Sequence, residues 1–115
     1  NMWARCSGSI VVIFSVVVVA PFTEEVIFRG FLYPAVNRYM GIHPAVFVTS
    51  ALFTMAHQPQ AFQDVIFALT IFLLSLMITY ARALSGSTVL AIFLHLAYNL
   101  IYVTVGVVNY IIMRF

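Results

Sequence analysis

Charged side chains are scarce in this chain: they make up 7% of its 115 residues, whereas hydrophobic residues make up 64%. The five basic residues are arginines that stand singly, so they form no basic cluster that could neutralise a nucleic-acid backbone. Cys6 is the single cysteine, which excludes an internal disulfide framework and a cysteine-based metal site. We therefore expect no nucleic-acid partner.

Long apolar segments are abundant instead. The mean hydropathy is +1.11, and residues 10–19 and 65–78 form runs that are almost wholly apolar. A soluble domain of 12.9 kDa has too little interior to bury so much apolar surface. Only helices or closed barrels satisfy their backbone groups within lipid. We therefore predict one all-α domain over residues 1–115, a multi-pass integral membrane bundle of four or five helices in contact with membrane lipid.

Proline and glycine divide the chain into helices. Pro21 suits a first helical turn and Thr23 is a good N-cap, so a helix is expected from there to about residue 39. The next helices are predicted at 44–56, starting at Pro44 and ending at residues 58–60, at 62–84, and from 88 to about 114. Asp64 is interpreted as a loop, interface or helix-start residue. The segment around Pro21 allows two interpretations: a separate span precedes it, or residues 9–39 form one helix kinked where the carbonyl of Val17 loses its partner.

Two adjacent carboxylates, Glu24 and Glu25, followed by Arg29, are the most informative polar residues. At about 100° per residue, Glu25 and Arg29 lie on nearly one helix face, while Glu24 points about 100° away. This geometry predicts that Arg29 neutralises and holds Glu25, and that Glu24 faces a cavity as a general base. The alternative is that all three only form a buried ion cluster that fixes the packing of the helix.

Three further polar residues lie near or within apolar helices. His57 ends one predicted helix, where it is either a membrane-interface histidine or a catalytic one. His95 and Asn99 are four residues apart on another helix, so they form a pair that serves either catalysis or an interhelical hydrogen bond. At about 1.5 Å per residue, Glu24, His57 and His95 differ in membrane depth by up to roughly 11 Å. Helix tilt and side-chain length can close much of that spread.

Together these fragments resemble a known family. Residues 24–30, EEVIFRG, are similar to the EExxxR(G) signature of the type II CAAX prenyl endopeptidase and bacteriocin-processing (CPBP, or Abi) family of intramembrane proteases. Residues 53–57, FTMAH, resemble its FxxxH motif, and residues 95–99, HLAYN, resemble its HxxxN motif. The resemblance covers about residues 21–100. The chain lacks the extra membrane helices of the eukaryotic prenyl-protein proteases, which favours a bacterial-type cell-membrane protein or a fragment trimmed to the core.

The resemblance implies an intramembrane endopeptidase that acts on a peptide or protein, lipidated as in prenylated CAAX substrates, or on a leader peptide. It implies a catalytic set of six residues. Glu24 with His57 would activate a water, Glu25 and Arg29 would orient that pair, and His95 with Asn99 would form the oxyanion hole.

Two other functions remain open from the sequence. Two histidines and one or two glutamates could hold a catalytic zinc ion. No compact ligand pair such as HExxH is present, and the positive charge of Arg29 disfavours a nearby cation, so a mechanism without a metal or other cofactor is expected. The second alternative is a non-enzymatic immunity or scaffold protein of the membrane, whose polar cluster only locks the helices together.

Overall fold

The computed structural model describes residues 2–57 and 59–115, with the side chains of residues 2–4 and Gln60 left out. The described residues form five helices and no strand, so the predicted all-α bundle is confirmed. The molecule is elongated, with extents of 54 × 28 × 21 Å. Helix α1 spans 2–40, and the other four are α2 (Ile42–Met55), α3 (Gln60–Gln63), α4 (Val65–Ser85) and α5 (Thr88–Arg114).

Helix α1 is continuous through Pro21, which decides between the two interpretations of this segment. It contains two π-helical stretches, Ser15–Val19 and Val26–Leu32, within an otherwise α-helical path. The prediction that Thr23 caps a new helix was therefore wrong, since its hydroxyl donates instead to the Val19 carbonyl inside the helix. One helix thus carries the whole first motif.

The predicted breaks between the later helices are close to those observed. Gly41, with φ of 82°, separates α1 from α2. Helix α4 begins at Val65 rather than at the predicted residue 62, because the extended backbone and carboxylate of Asp64 form an N-cap that accepts from Ile66 and Phe67. Gly86 ends α4 in the left-handed conformation that favours glycine. Gln58, one of the residues predicted to end the second helix, lies outside the described residues.

Within the part of the chain that the structure describes, three helical segments are long and apolar enough to cross a membrane: Arg5–Met40, Val65–Ser85 and Thr88–Arg114. Helix α2 has 14 residues, and at about 1.5 Å per residue it is too short to cross a hydrocarbon core of about 30 Å alone. Large apolar side chains cover the outside of the long helices, as expected for surfaces that face lipid.

Among the described side chains, the helices pack in two apolar clusters. The first joins the end of α1 to α2 through buried Tyr33, Ala45 and Val46, and partly buried side chains of α4 pack against it: Leu76, Tyr80 and Ala83. The second joins α4 to α5 through Leu74, Ile78 and Ala91. Helix α5 also packs on the middle of α1. The first-motif segment of α1 therefore lies between α4 and α5, which fixes the position of its polar side chains.

Replacing Ala45 by leucine tests the close packing of α1, α2 and α4. Ala45 is completely buried, so the larger side chain has no space, and we expect the Ala45→Leu variant to lose about 1–3 kcal/mol of stability. Thermal unfolding in detergent measures the loss. Ala97→Leu, at an exposed position of α5, is the matched control and should unfold close to the parent temperature. Equal effects of the two substitutions would contradict this packing.

Candidate active site

Arg29 is the centre of a buried ionic cluster. Its guanidinium has no exposed surface and donates from NH1 to Oε1 of Glu25 at 3.0 Å. Its NH2 donates to the hydroxyl and the carbonyl of Ser75 at 2.6 and 3.1 Å, and its Nε donates to the Thr79 hydroxyl at 3.1 Å. The Phe53 ring lies 4.5 Å from the guanidinium carbon. Every nitrogen of the buried cation thus has a partner.

Ser75 and Thr79 were missed by the sequence analysis, although a signal was present. They are small polar residues four positions apart on the long apolar helix α4, so they share one face. Both are completely buried, and the Thr79 hydroxyl also donates to the Ser75 carbonyl at 2.6 Å. A polar pair with helical spacing in a membrane helix indicates a buried partner on a neighbouring helix.

His95 connects α5 to the same cluster. Its Nδ1 lies 2.6 Å from Oε1 of Glu25, and because a carboxylate can only accept, Nδ1 is the donor. Glu25 therefore receives hydrogen bonds from both Arg29 and His95 on one oxygen. The other ring nitrogen, Nε2, lies 3.7 Å from Oε2 of Glu24. The His95 ring is thus held between the two carboxylates.

The two glutamates differ in burial as the helical geometry predicts. Glu25 is completely buried, whereas the side chain of Glu24 is 31% exposed. Glu24 lines a cavity of about 420 Å³ that is bounded by α1, α4, α5 and the end of α2. Of the two glutamates, Glu24 is therefore the one that is accessible from the cavity.

His57 lines the same cavity from the end of α2. Its Nδ1 lies 2.7 Å from the Phe53 carbonyl oxygen, which can only accept, so Nδ1 carries the proton and Nε2 is the basic nitrogen of the neutral ring. The Phe53 ring lies between the two histidines, 4.7 Å from His57 and 5.8 Å from His95 between ring centroids. One phenyl ring therefore packs against both imidazoles.

Asn99 also lines the cavity, and it makes an interhelical hydrogen bond, which is one of the two roles that the sequence left open. Its side-chain Nδ2 donates to the backbone carbonyl of Val16 on α1 at 2.9 Å. This bond ties α5 to α1, and it uses one of the two N–H groups of the amide. The other can serve the cavity.

All six candidate residues therefore belong to one connected region. Four of them line the cavity, and the remaining two, Glu25 and Arg29, lie behind it in the bundle. The predicted spread in depth does not separate them, since His95 and Glu24 approach within 3.7 Å. Apolar and aromatic side chains of α4 and α5 complete the wall: Ile66, Phe67, Ile71, Leu74, Tyr98 and Tyr102.

A catalytic zinc ion is usually held by three protein ligands. Within residues 2–57 and 59–115, no group of three or more His, Cys, Asp or Glu side chains is placed to hold a metal ion. In addition, one carboxylate of the cluster is already bound by the Arg29 cation, which a second cation would oppose.

The fold and the site define a helical membrane protein with a buried ion cluster behind an acid-lined cavity. A profile of the family described as Type II CAAX prenyl endopeptidase Rce1-like matches residues 6–101. The chain therefore belongs to this family of membrane proteases. No curated protein and no solved structure gives a significant match to the chain. The family and the long apolar helices show an integral membrane protein, and a protease family implies a peptide or protein substrate.

Removing the cation tests the structural part of the cluster. We expect Arg29→Met to lose about 3–5 kcal/mol of stability, because Glu25 would remain buried without its counter-ion. Thermal unfolding in detergent is the measurement. Arg38→Met removes an arginine from an exposed position of the same helix and should change stability little. An Arg29→Met protein as stable as the Arg38→Met control would contradict a structural role of the pair.

Proposed function

We propose that this protein is an endopeptidase in which Glu24 activates a water molecule for attack on a peptide carbonyl. The observation that carries the proposal is the position of Glu24: it is the accessible carboxylate of the pair and shares one cavity with two imidazoles. A carboxylate in a site shielded from bulk water can act as a general base on a bound water. No serine or cysteine nucleophile is needed.

The reaction follows the usual course of peptide hydrolysis. Glu24 takes a proton from the water as the water oxygen attacks the carbonyl carbon. Nε2 of His57 accepts a hydrogen bond from the same water and orients it. The carbonyl oxygen becomes an oxyanion in a tetrahedral intermediate. The C–N bond then breaks, and the protonated Glu24 returns its proton to the leaving amine. One peptide bond and one water thus give a carboxylic acid and an amine, and transfer of the acid proton to the amine leaves a carboxylate and an ammonium group.

His95 and Asn99 stabilise the oxyanion in this proposal. In its protonated form the His95 ring donates from both nitrogens, through Nδ1 to Glu25 and through Nε2 to an oxygen in the cavity. The second N–H of the Asn99 amide is the other donor. Donors that are held in place before the reaction contribute several kcal/mol to oxyanion stabilisation. Glu25 and Arg29 act on His95 and hold its ring in position.

The cavity supports an apolar substrate segment. Its volume of about 420 Å³ is within the usual range for small-ligand pockets, and most of its wall is aliphatic or aromatic. We propose a prenylated CAAX-type peptide or a leader peptide that enters from the bilayer of a bacterial-type cell membrane. Incubating the purified protein with a prenylated peptide, its unprenylated form and a leader-peptide library, and identifying products by mass, distinguishes these substrates.

Glu24→Gln is the direct test of the general base. The side chain keeps its size but loses its basicity, so we expect normal membrane insertion and thermal unfolding with at least a hundredfold loss of hydrolysis. Asp64→Asn is the matched control: it removes the other cavity carboxylate but keeps a good helix cap, and it should retain most of the activity. Unfolding of the Glu24→Gln variant, with an inactive parent, would instead favour a non-enzymatic scaffold or immunity protein.

Exhaustive chelation tests the metal-free mechanism. We expect peptide hydrolysis in detergent to continue after treatment with a strong zinc chelator and gel filtration, because no set of side chains among the described residues is grouped to hold the ion. Activity measured before and after treatment gives the answer. Complete loss that added zinc restores would overturn this mechanism.

A further inference from the structure

Each of the two π-helical stretches of α1 ends two residues before a proline. The N–H of Ala20 bonds to the carbonyl of Ser15, five residues earlier, and the next residue is Pro21. In the second stretch, the N–H of Tyr33 bonds to the carbonyl of Phe28, again five residues earlier, and the next residue is Pro34. The same backbone arrangement thus occurs twice, thirteen residues apart, on either side of the two glutamates.

This arrangement removes one backbone donor from each stretch. In a π-helical register the next carbonyls to be bonded are those of Val16 and Arg29, and their donors would be the N–H groups of residues 21 and 34. Proline has no N–H. At Pro21, the carbonyl that loses its backbone donor is therefore that of Val16. An α-helical register would instead leave the carbonyl of Val17, one residue later, without a donor.

Side chains from two other helices donate to these same two carbonyls. Asn99 of α5 donates through Nδ2 to the Val16 carbonyl at 2.9 Å. Arg82 of α4 donates through Nε to the Arg29 carbonyl at 3.2 Å. Two independent prolines thus have two independent replacements for the missing donor.

Arg82 is well placed to fix this part of the bundle. Its Nε also lies 3.1 Å from the hydroxyl of Thr88, at the start of α5, and its guanidinium carbon lies 5.8 Å from the ring of buried Tyr33. The side chain therefore connects α1, α4 and α5 at one point. Among the described residues, Arg82 is the one arginine whose side chain donates to the backbone of α1.

We propose that Arg82 is a positioning residue of the active site, which replaces the backbone donor lost at Pro34 as Asn99 replaces the one lost at Pro21. The proposal rests on the proposed function of Glu24. Glu24 and Glu25 lie between the two bonded carbonyls, those of Val16 and Arg29, so the two cross-helix bonds fix the segment that presents the carboxylates. A displacement of about 1 Å at reacting groups can lower a rate a hundredfold.

A double-mutant cycle with Pro34 tests this role. Arg82→Met removes the donor while keeping an unbranched side chain, and we expect a tenfold or larger fall in kcat, little change in KM and a lower unfolding temperature. Pro34→Ala supplies an N–H that can donate to the Arg29 carbonyl. The Pro34→Ala, Arg82→Met double variant should therefore recover most of both losses.

Arg38→Met is the control for the loss of an arginine charge. Arg38 lies on the later part of α1, the part that Arg82 contacts, and its replacement should leave kcat and the unfolding temperature unchanged. Equal effects of Arg82→Met in the proline and alanine backgrounds would overturn the proposal, because no coupling would then exist. The unfolding temperatures test the coupling without any activity. If the parent protein is inactive, only the proposed function is contradicted. If the protein is active but Arg82 and Pro34 show no coupling, only the positioning role is contradicted.

The corresponding cycle at Asn99 separates its two roles. Asn99→Leu should lower both the unfolding temperature and kcat. Adding Pro21→Ala should restore the unfolding temperature, because the new N–H can reach the Val16 carbonyl, but it should not restore kcat, because the oxyanion donor is still missing. No recovery of the unfolding temperature would contradict the replacement of a backbone donor by Asn99.

Discussion

The structure depends on the burial of one cation, Arg29, among apolar helices. Desolvating a guanidinium and a carboxylate costs several kcal/mol each, and the cost is offset only when their hydrogen bonds are complete. Here helix α4 supplies Ser75 and Thr79 to the guanidinium, and α5 supplies His95 to the carboxylate of Glu25. The requirement to satisfy one buried ion pair therefore sets how α1, α4 and α5 meet.

The same constraint separates the two glutamates. Glu25 is completely buried, and one of its oxygens is bonded by both the Arg29 guanidinium and the His95 imidazole. These contacts hold Glu25 in one position and give it a structural role. Glu24 is one residue further back on the helix and points into the cavity. Adjacent positions in the sequence thus lie in different environments, since about 100° of helical rotation separates them. A buried ion pair that holds the helices, beside an accessible carboxylate, suits the hydrolysis that we propose.

Irregularity in α1 is part of how the helices are held together. π-helical turns are rare and occur often at functional sites. In this chain they place carbonyls without a backbone donor toward the other helices, where Asn99 and Arg82 bond to them. Within a membrane an unpaired carbonyl is costly, so such a bond between helices is favoured over exposure to lipid. Each proline thus removes a bond within one helix and gives rise to one between helices.

The sequence by itself determined the membrane-helix class, most helix boundaries, the pairing of Glu25 with Arg29 and the six candidate residues. The first three follow from composition, helix-breaking residues and helical periodicity, and the six candidate residues follow from the resemblance of three short motifs to those of the family; all of these are local properties of the sequence. Only the tertiary structure showed that α1 continues through Pro21, that Ser75 and Thr79 complete the shell of Arg29, and that His95 bonds to Glu25 while Asn99 bonds to Val16. These facts depend on which helices are neighbours and on a shift in backbone register, and the spacing of residues along one chain specifies neither.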